Sequence, residues 1–566
     1  MKMSICWCCV LFLIGIFVGN VQAETCSLAS YYSSHMVLQQ QPQNAILWGY
    51  TDVKTTVQVR VQDNVQDKMY KAQTGFKPFS TTAIWKVKLD PMPAGGPYNI
   101  TVICQAFTVV NTIYLVDVMF GDVWVCSGQS NMAFTVKQAF NGSEELIDSV
   151  KYPNVRLLAV TEVTSATPDY DFNGGLYEPW SRPNSDSLGG KAPTYTYFSA
   201  LCWFFGRDLY DSLQYPIGLI SSNWGSTPIE VWSAPNVLQH CNATESIEGL
   251  LEIDEELESL LGRDPKIPTC LWNSMIHPML NFTIKGVIWY QGEANTGDPA
   301  PYKCLFHAMI EDWRLKWNEG TDGSTDPQFP FGFMQLSTSN YPYPETVGPY
   351  PTLRWHQTYD YGYVPNPVMK NVFMAVGIDL VDETSPYGPI HPRDKQEMGT
   401  RLSLAGRAVV YGQNVTSSGP FPSEFTVDPE TLTVLIKYDN GNANIRIVGK
   451  IGFEICCSGN AVCQSNDTSW VPAEVISQPT PSSLIVSYYC YKKQAVSIRY
   501  LWRDMPCTFK GCPVYSVENN LPGAPFVATL QMIGGGSFTY TLTFPKILIG
   551  LTVTFFFISL VEGNNE

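Results

Sequence analysis

The chain has 566 residues and a formal net charge of -16, with 35 Lys and Arg against 51 Asp and Glu. So acidic a chain repels phosphate, which excludes nucleic acid as a partner. Only 15% of residues are charged and 13% are aromatic, a composition of packed, β-rich domains rather than of disorder, and the length predicts two or three of them.

Residues 1–23 read as a secretory signal peptide. Lys2 gives a positive start, Cys6 to Val18 an apolar run too short to span a bilayer, and Val21-Gln22-Ala23 a small-residue cleavage site. Residues 24–115 read as a small β domain, a sandwich. Ala45 to Gly49, Thr56 to Val61 and Trp85 to Leu89 alternate apolar and polar at period two, and Pro91, Pro93, Gly95, Gly96 and Pro97 punctuate the turns.

From 116 to 412 the texture changes. Strand-like runs at Val118 to Val125, Ile217 to Ser221, Val287 to Tyr290, Phe331 to Leu336 and Val372 to Leu380 alternate with helical spacing. That spacing shows at Leu201, Phe204, Phe205 and Leu209, at Leu305, Met309 and Trp313, and at Leu402, Ala405 and Val409. Strand–helix alternation predicts an α/β fold with a doubly wound parallel sheet, its ligand site at the carboxyl ends of the strands. Residues 413–530 revert to β, with strands at Thr433 to Tyr438, Ile445 to Val448, Leu484 to Tyr489 and Val496 to Trp502.

The tail, 531–566, contains the uncharged run Ile547 to Val561. It fits three readings: a short membrane anchor, a lipid-anchor signal that uses Gly534-Gly535-Gly536-Ser537, or a last buried strand.

Three of the 16 cysteines lie in the signal segment, which leaves 13. In an oxidising compartment most should pair, and the odd count leaves at least one over. Crowding of Cys456, Cys457, Cys463, Cys490, Cys507 and Cys512 predicts a local disulfide framework. Six glycosylation sequons, at Asn99, Asn141, Asn242, Asn281, Asn414 and Asn466, fit the same compartment.

The chemistry is concentrated where the middle strands end. Gly128-Gln129-Ser130-Asn131-Met132 follows the first, Asn223-Trp224-Gly225-Ser226 the second and Gln291-Gly292-Glu293-Ala294-Asn295 the third. Asp379, Asp382, Glu383 and then Ile390-His391-Pro392 follow the last. A hydroxyl, glycine turns, an amide, carboxylates and an imidazole on one rim are what a serine hydrolase needs: a histidine to take the serine proton and fixed donors for the oxyanion. The nucleophile elbow G-x-S-x-G is not met, because Met132 stands where its last glycine belongs. Two structural readings compete: Ser130 as a helix cap, and the His-Pro pair as a turn, since Ile-His-Pro recurs at Ile276-His277-Pro278. The six histidines show no paired metal-ligand spacing, so no metal is expected.

Six segments together, GDVWVCSGQSNM, YPIGLISSNWGSTPIEVWS, LWNSMIHPM, KGVIWYQGEAN, RWHQTYDYGYVPNP and IHPRDKQ, resemble the sialate O-acetylesterase family of SGNH-type carbohydrate esterases. The likeness runs from about residue 28 to about 528. It implies an SGNH-hydrolase-like sheet flanked by β domains, secreted or lysosomal, acting without a cofactor on O-acetylated sialic acids and sialoglycoconjugates, with 9-O-acetyl preferred. It further implies Ser130 as nucleophile, His391 as base, and Gly225, Asn295 and the Ser130 N–H as the oxyanion hole. The acid that many SGNH enzymes place three residues before the histidine is absent, because Gly388 stands there. Asp379 is expected to orient His391, with Asp382, Glu293 or a backbone carbonyl as alternatives. Gln129, Gln291, Glu293, Arg354 and Arg393 are expected around the substrate, with Arg354, Arg393 or Lys395 on its carboxylate. Competing readings are an esterase for another acetylated carbohydrate and a non-catalytic sialic-acid-binding protein.

Overall fold

The structure is a computed structural model that describes residues 26–76, 82–243, 265–339, 347–458, 463, 469–530 and 538–541. The signal segment, Asn466 and the apolar run 547–561 lie outside the described residues. Among the described residues no helix is long and apolar enough to cross a membrane. The chain forms two compact units. One comprises residues up to Gly419 with 501–512 and 524–526; the other comprises 420–500, 513–523 and the residues from 527 on.

The first unit is mixed α/β, built on seven strands: β1 (Val109–Gly128), β2 (Val155–Val160), β3 (Leu176–Ser181), β4 (Ile217–Asn223), β5 (Gly286–Tyr290), β6 (Phe331–Gln335) and β7 (Val372–Val376). Their order is β3-β2-β4-β1-β5-β6-β7. All neighbours are parallel except the edge strand β3, which runs antiparallel to β2. The run expected to reach Leu380 ends at Val376, where Gly377 opens a turn closed by the Leu380 N–H.

Both faces are covered. On one, Trp124 meets Phe205 of helix α1 (Ala200–Leu213) and Phe373 of β7, and helix α3 (Lys395–Val409) packs beside α1. On the other, Trp289 meets Trp313 of helix α2 (Tyr302–Gly320) and Trp232. Trp289 is in register with Ser127, three positions from Trp124, so period-two alternation puts the two tryptophans on opposite faces.

The expected boundary at 115 falls inside β1. This strand runs unbroken for 20 residues, half-exposed over its first part and buried throughout from Val118 to Gly128. Its first part pairs with Gly95–Ala106, and its second part is the centre of the large sheet. The change of texture is real, but it is a change of environment along one strand rather than a break between domains. The remaining N-terminal strands form a four-stranded sheet and a second group hydrogen-bonded onto β1.

The second unit consists of antiparallel strands, among them Pro422–Asp428, Thr433–Tyr438, Ser483–Ser487 and Gln494–Tyr500, around a core of Val434, Ile436, Ile455, Leu484 and Ile498. Among the described residues six disulfides join Cys26–Cys104, Cys126–Cys202, Cys241–Cys304, Cys456–Cys463, Cys457–Cys490 and Cys507–Cys512, which includes the expected local framework. Cys270 is a buried thiol outside these pairs.

Candidate active site

Strand order puts β1 between β4 and β5: the chain leaves β1 for β2 on one side of it and later crosses from β4 to β5 on the other. This is the switch point where open α/β sheets leave a crevice. Register levels the strand ends: Gly128 lies opposite both Asn223 and Tyr290. The three signature segments therefore leave the sheet at one height.

Gly128 is the pivot. Its φ is +142°, and a Cβ there would stand 2.2 Å from the Tyr290 carbonyl oxygen, so no larger residue fits. The chain then turns through extended Gln129 into the four-residue helix Ser130–Ala133. Ser130 is not a cap: the capping position falls on Gln129, without a side-chain cap. The Ser130 Oγ instead lies 2.9 Å from the His391 Nε2.

The other imidazole nitrogen, Nδ1, lies 2.8 Å from the Tyr387 carbonyl oxygen. A carbonyl accepts only, so this contact fixes the proton on Nδ1 and leaves Nε2 as the acceptor facing the serine. Burial pulls the His391 pKa below its ordinary value of 6.5; the Tyr387 carbonyl opposes the shift and the Lys395 charge adds to it. The ring packs 5.2 Å from that of Tyr195.

The expectation for Asp379 is corrected here. The Asp379 carboxylate is fully buried and takes two guanidinium hydrogens of Arg401, at 2.6 and 3.1 Å, so it is committed to helix α3 rather than to Nδ1 of His391. Asp382 is engaged with Arg393, at 2.6 and 2.9 Å. Of the alternatives, the backbone carbonyl is the one found at Nδ1.

The oxyanion candidates converge. A Cβ on Gly225 would stand 3.5 Å from the Ser130 Cβ, so that turn lies beside the nucleophile. Asn295 is held by three contacts. Its Oδ1 accepts from the Ile229 N–H and from Gln291, and its Nδ2 donates to Glu230, at 2.9, 2.7 and 2.9 Å.

Several residues expected to face substrate are internal struts. Gln129 accepts from the N–H groups of Gly292 and Ala294, which ties the first signature segment to the third. Gln291 is fully buried between Thr227, Asn295 and Tyr302. Arg354 is fully buried, with its guanidinium shared among the carbonyls of Leu336, Ser337, Arg503 and Asp504. Lys395 is buried and donates to Asn131 and Pro392. Glu293 is buried behind the nucleophile, against Asn131. Amides and arginines bind substrates and brace loops with the same groups, so residue type alone does not separate the two uses. Arg393 alone of the nominated cations keeps solvent access, its side chain 24% exposed, over the Phe140 ring.

Sequence reading missed Tyr387, Tyr195, Glu230 and Asn131. Asn131 sits inside the GQSNM segment and was within reach; the Tyr387 contact is made by a backbone atom, which no residue type announces. Among the described residues no cluster of His, Cys, Asp and Glu suits a metal ion.

A parallel sheet clothed on both faces, with a serine–histidine pair at its switch point, defines an α/β esterase. The comparisons agree. Residues 120–349 match the family model for carbohydrate esterases, sialic acid-specific acetylesterase, and 423–530 match the sialate O-acetylesterase C-terminal domain. The chain is 41% identical to a sialate O-acetylesterase of Mus musculus, over 89% of this chain and 95% of that protein. It is 42% identical to one of Homo sapiens, over 90% and 93%. The crystal structure of a carbohydrate acetylesterase from Xanthomonas citri matches with a TM-score of 0.69 at 27% identity, covering 89% of this chain and 99% of that one. The chain belongs to the sialate O-acetylesterase family, a family of carboxylic ester hydrolases.

Proposed function

We propose that this chain hydrolyses O-acetyl esters of sialic acids, 9-O-acetyl preferred, through an acetyl-enzyme on Ser130. The contact between Ser130 Oγ and His391 Nε2 carries the reading. His391 Nε2 takes the hydroxyl proton as Oγ bonds to the acetyl carbon. The tetrahedral oxygen is met by the N–H groups of Ser130 and Gly225 and by the Asn295 amide, which has a second hydrogen beyond the one given to Glu230. The carbon–oxygen bond to the sugar breaks, and Nε2 returns the proton to the leaving sugar oxygen. Water, deprotonated by the same nitrogen, then releases acetate and restores Ser130. The Tyr387 carbonyl orients the imidazole where other serine hydrolases use a carboxylate. No cofactor enters.

Arg393 is the proposed contact for the sialic acid carboxylate, exchanging part of its pairing with Asp382 for the substrate. Arg393→Ala should raise KM with kcat nearly unchanged; unchanged KM removes it from the site. The SGNH-like sheet, the flanking β domains and the six sequons belong to the same reading of a secreted or lysosomal glycoprotein. Among the sequons, Asn99, Asn141, Asn242 and Asn414 are exposed. Six disulfides fit an oxidising compartment.

The test is acetate release from 9-O-acetylated sialic acid by the mature protein and by Ser130→Ala. Loss on the order of a thousandfold or more supports the reading; equal rates overturn it.

A further inference from the structure

A histidine oriented by a carbonyl lacks the charge and the rigid side chain that a triad acid supplies, so its placement must come from the backbone that carries it. Every carbonyl from Ile390 to Arg393 is fastened. The Asn131 Nδ2 donates to Ile390 O at 2.9 Å, the Ser385 hydroxyl to His391 O at 2.8 Å, the Lys395 Nζ to Pro392 O at 2.6 Å and the Phe140 N–H to Arg393 O at 3.1 Å. Two of these donors are joined: Lys395 Nζ also donates to Asn131 Oδ1 at 2.8 Å, and Asn131 Nδ2 donates to Glu293 Oε1 at 2.5 Å. Asn131 is the residue after the nucleophile. Glu293, Asn131 and Lys395 come from three separate segments: the turn after β5, the turn after β1 and the start of α3.

We propose that Glu293, Asn131 and Lys395 are one positioning unit that holds the carbonyls on both sides of His391 and fixes the imidazole against Ser130. The unit rests on the Ser130–His391 reading and deepens it. Lys395 is fully buried, its ammonium 4.5 Å from the Phe134 ring centroid and facing Tyr290. Burial pulls its pKa down to about 7, while Glu293, Asp394 and Asp382 hold it up. The charged form is therefore the one present on the acid side, where His391 titrates. Burial likewise pushes the Glu293 carboxyl up, against Asn131 and Lys395. The groups around the imidazole itself are Ser130, the Tyr195 ring, the Tyr387 carbonyl and the Lys395 charge. A positive charge there disfavours a second one on His391.

The experiment uses the mature protein and 4-nitrophenyl acetate, a general acetyl ester, so that a wrong sugar assignment does not enter. Ser130→Ala run alongside tests the dyad: retained hydrolysis overturns the dyad and the positioning unit with it. With the dyad standing, Lys395→Met should lower kcat by about a hundredfold with KM little changed, and should move the acid limb of the pH–rate profile to higher pH. Asn131→Ala removes a clamp but no charge, so kcat falls and the limb stays in place. A folded Lys395→Met with an unmoved limb and kcat within about twofold of the parent overturns the proposal. If Lys395→Met does not fold, Asn131→Ala decides, and a kcat within about twofold then overturns it.

Discussion

Two turns of this molecule share the tripeptide Ile-His-Pro. In both, the histidine Nδ1 meets a backbone carbonyl: Asp169 O at 2.7 Å for His277 and Tyr387 O at 2.8 Å for His391. Both rings lie against aromatic neighbours, Trp272 and Tyr170 for the first and Tyr195 for the second. What separates them is the other nitrogen. The Nε2 of His391 reaches a serine presented by a different strand, 261 positions away in sequence. A tripeptide sets a tautomer and a turn; only the sheet supplies the partner that makes one imidazole a base.

The comparison breaks most visibly at the serine. Ser130→Ala and His391→Ala should each abolish acetate release, by a factor on the order of a thousand or more, while His277→Gln leaves it unchanged. Steady-state kinetics of the three variants check this, and a large loss in His277→Gln would erase the distinction. Next in size is Asp379→Asn. It removes one of the two carboxylates paired with the buried Arg401 guanidinium, Glu397 remaining at 3.0 Å, and should cost about 1–3 kcal/mol of stability, read by denaturant unfolding. The hydrolysis rate per folded molecule should stay within about threefold of the parent, whereas a triad acid lost to Asn costs about ten-thousandfold. Smaller again is the effect of pH. His391 titrates below 6.5, and only its neutral form accepts the serine proton. The kcat/KM should therefore rise with pH through an apparent pKa below 6.5 and stay level above it, and a midpoint above 6.5 would contradict the buried geometry. The smallest effect is on stability in His277→Gln, where the lost carbonyl contact is worth about 1 kcal/mol, visible as a slight fall in the unfolding midpoint.

The sheet was legible because its strands are apolar runs and its ligand end is fixed by topology. The positions of Ser130 and His391 followed from the same rule, and the six quoted segments carried the family. What stayed hidden has physical causes. Strand β2 and the antiparallel edge β3 lie in a stretch where turns and aromatics blur the period. Asp379 was nominated because it follows a strand, but Arg401, 22 residues on in helix α3, claims its carboxylate. Arg354 was read as a cation for substrate, yet it is a brace for four carbonyls. The Tyr387 contact is made by a peptide oxygen, and every residue has one.

Strand β1 bears on how this fold can be inherited and cut. The ribbon that ends at the nucleophile begins nine residues before Val118 as a partner of Gly95–Ala106, so the N-terminal sheet and the reactive serine share one continuous backbone. A fragment started at residue 116 would cut β1 within its length and strip what remains of its pairing with Gly95–Ala106. Recombination at that point would deliver an aggregation-prone half rather than a transferable module.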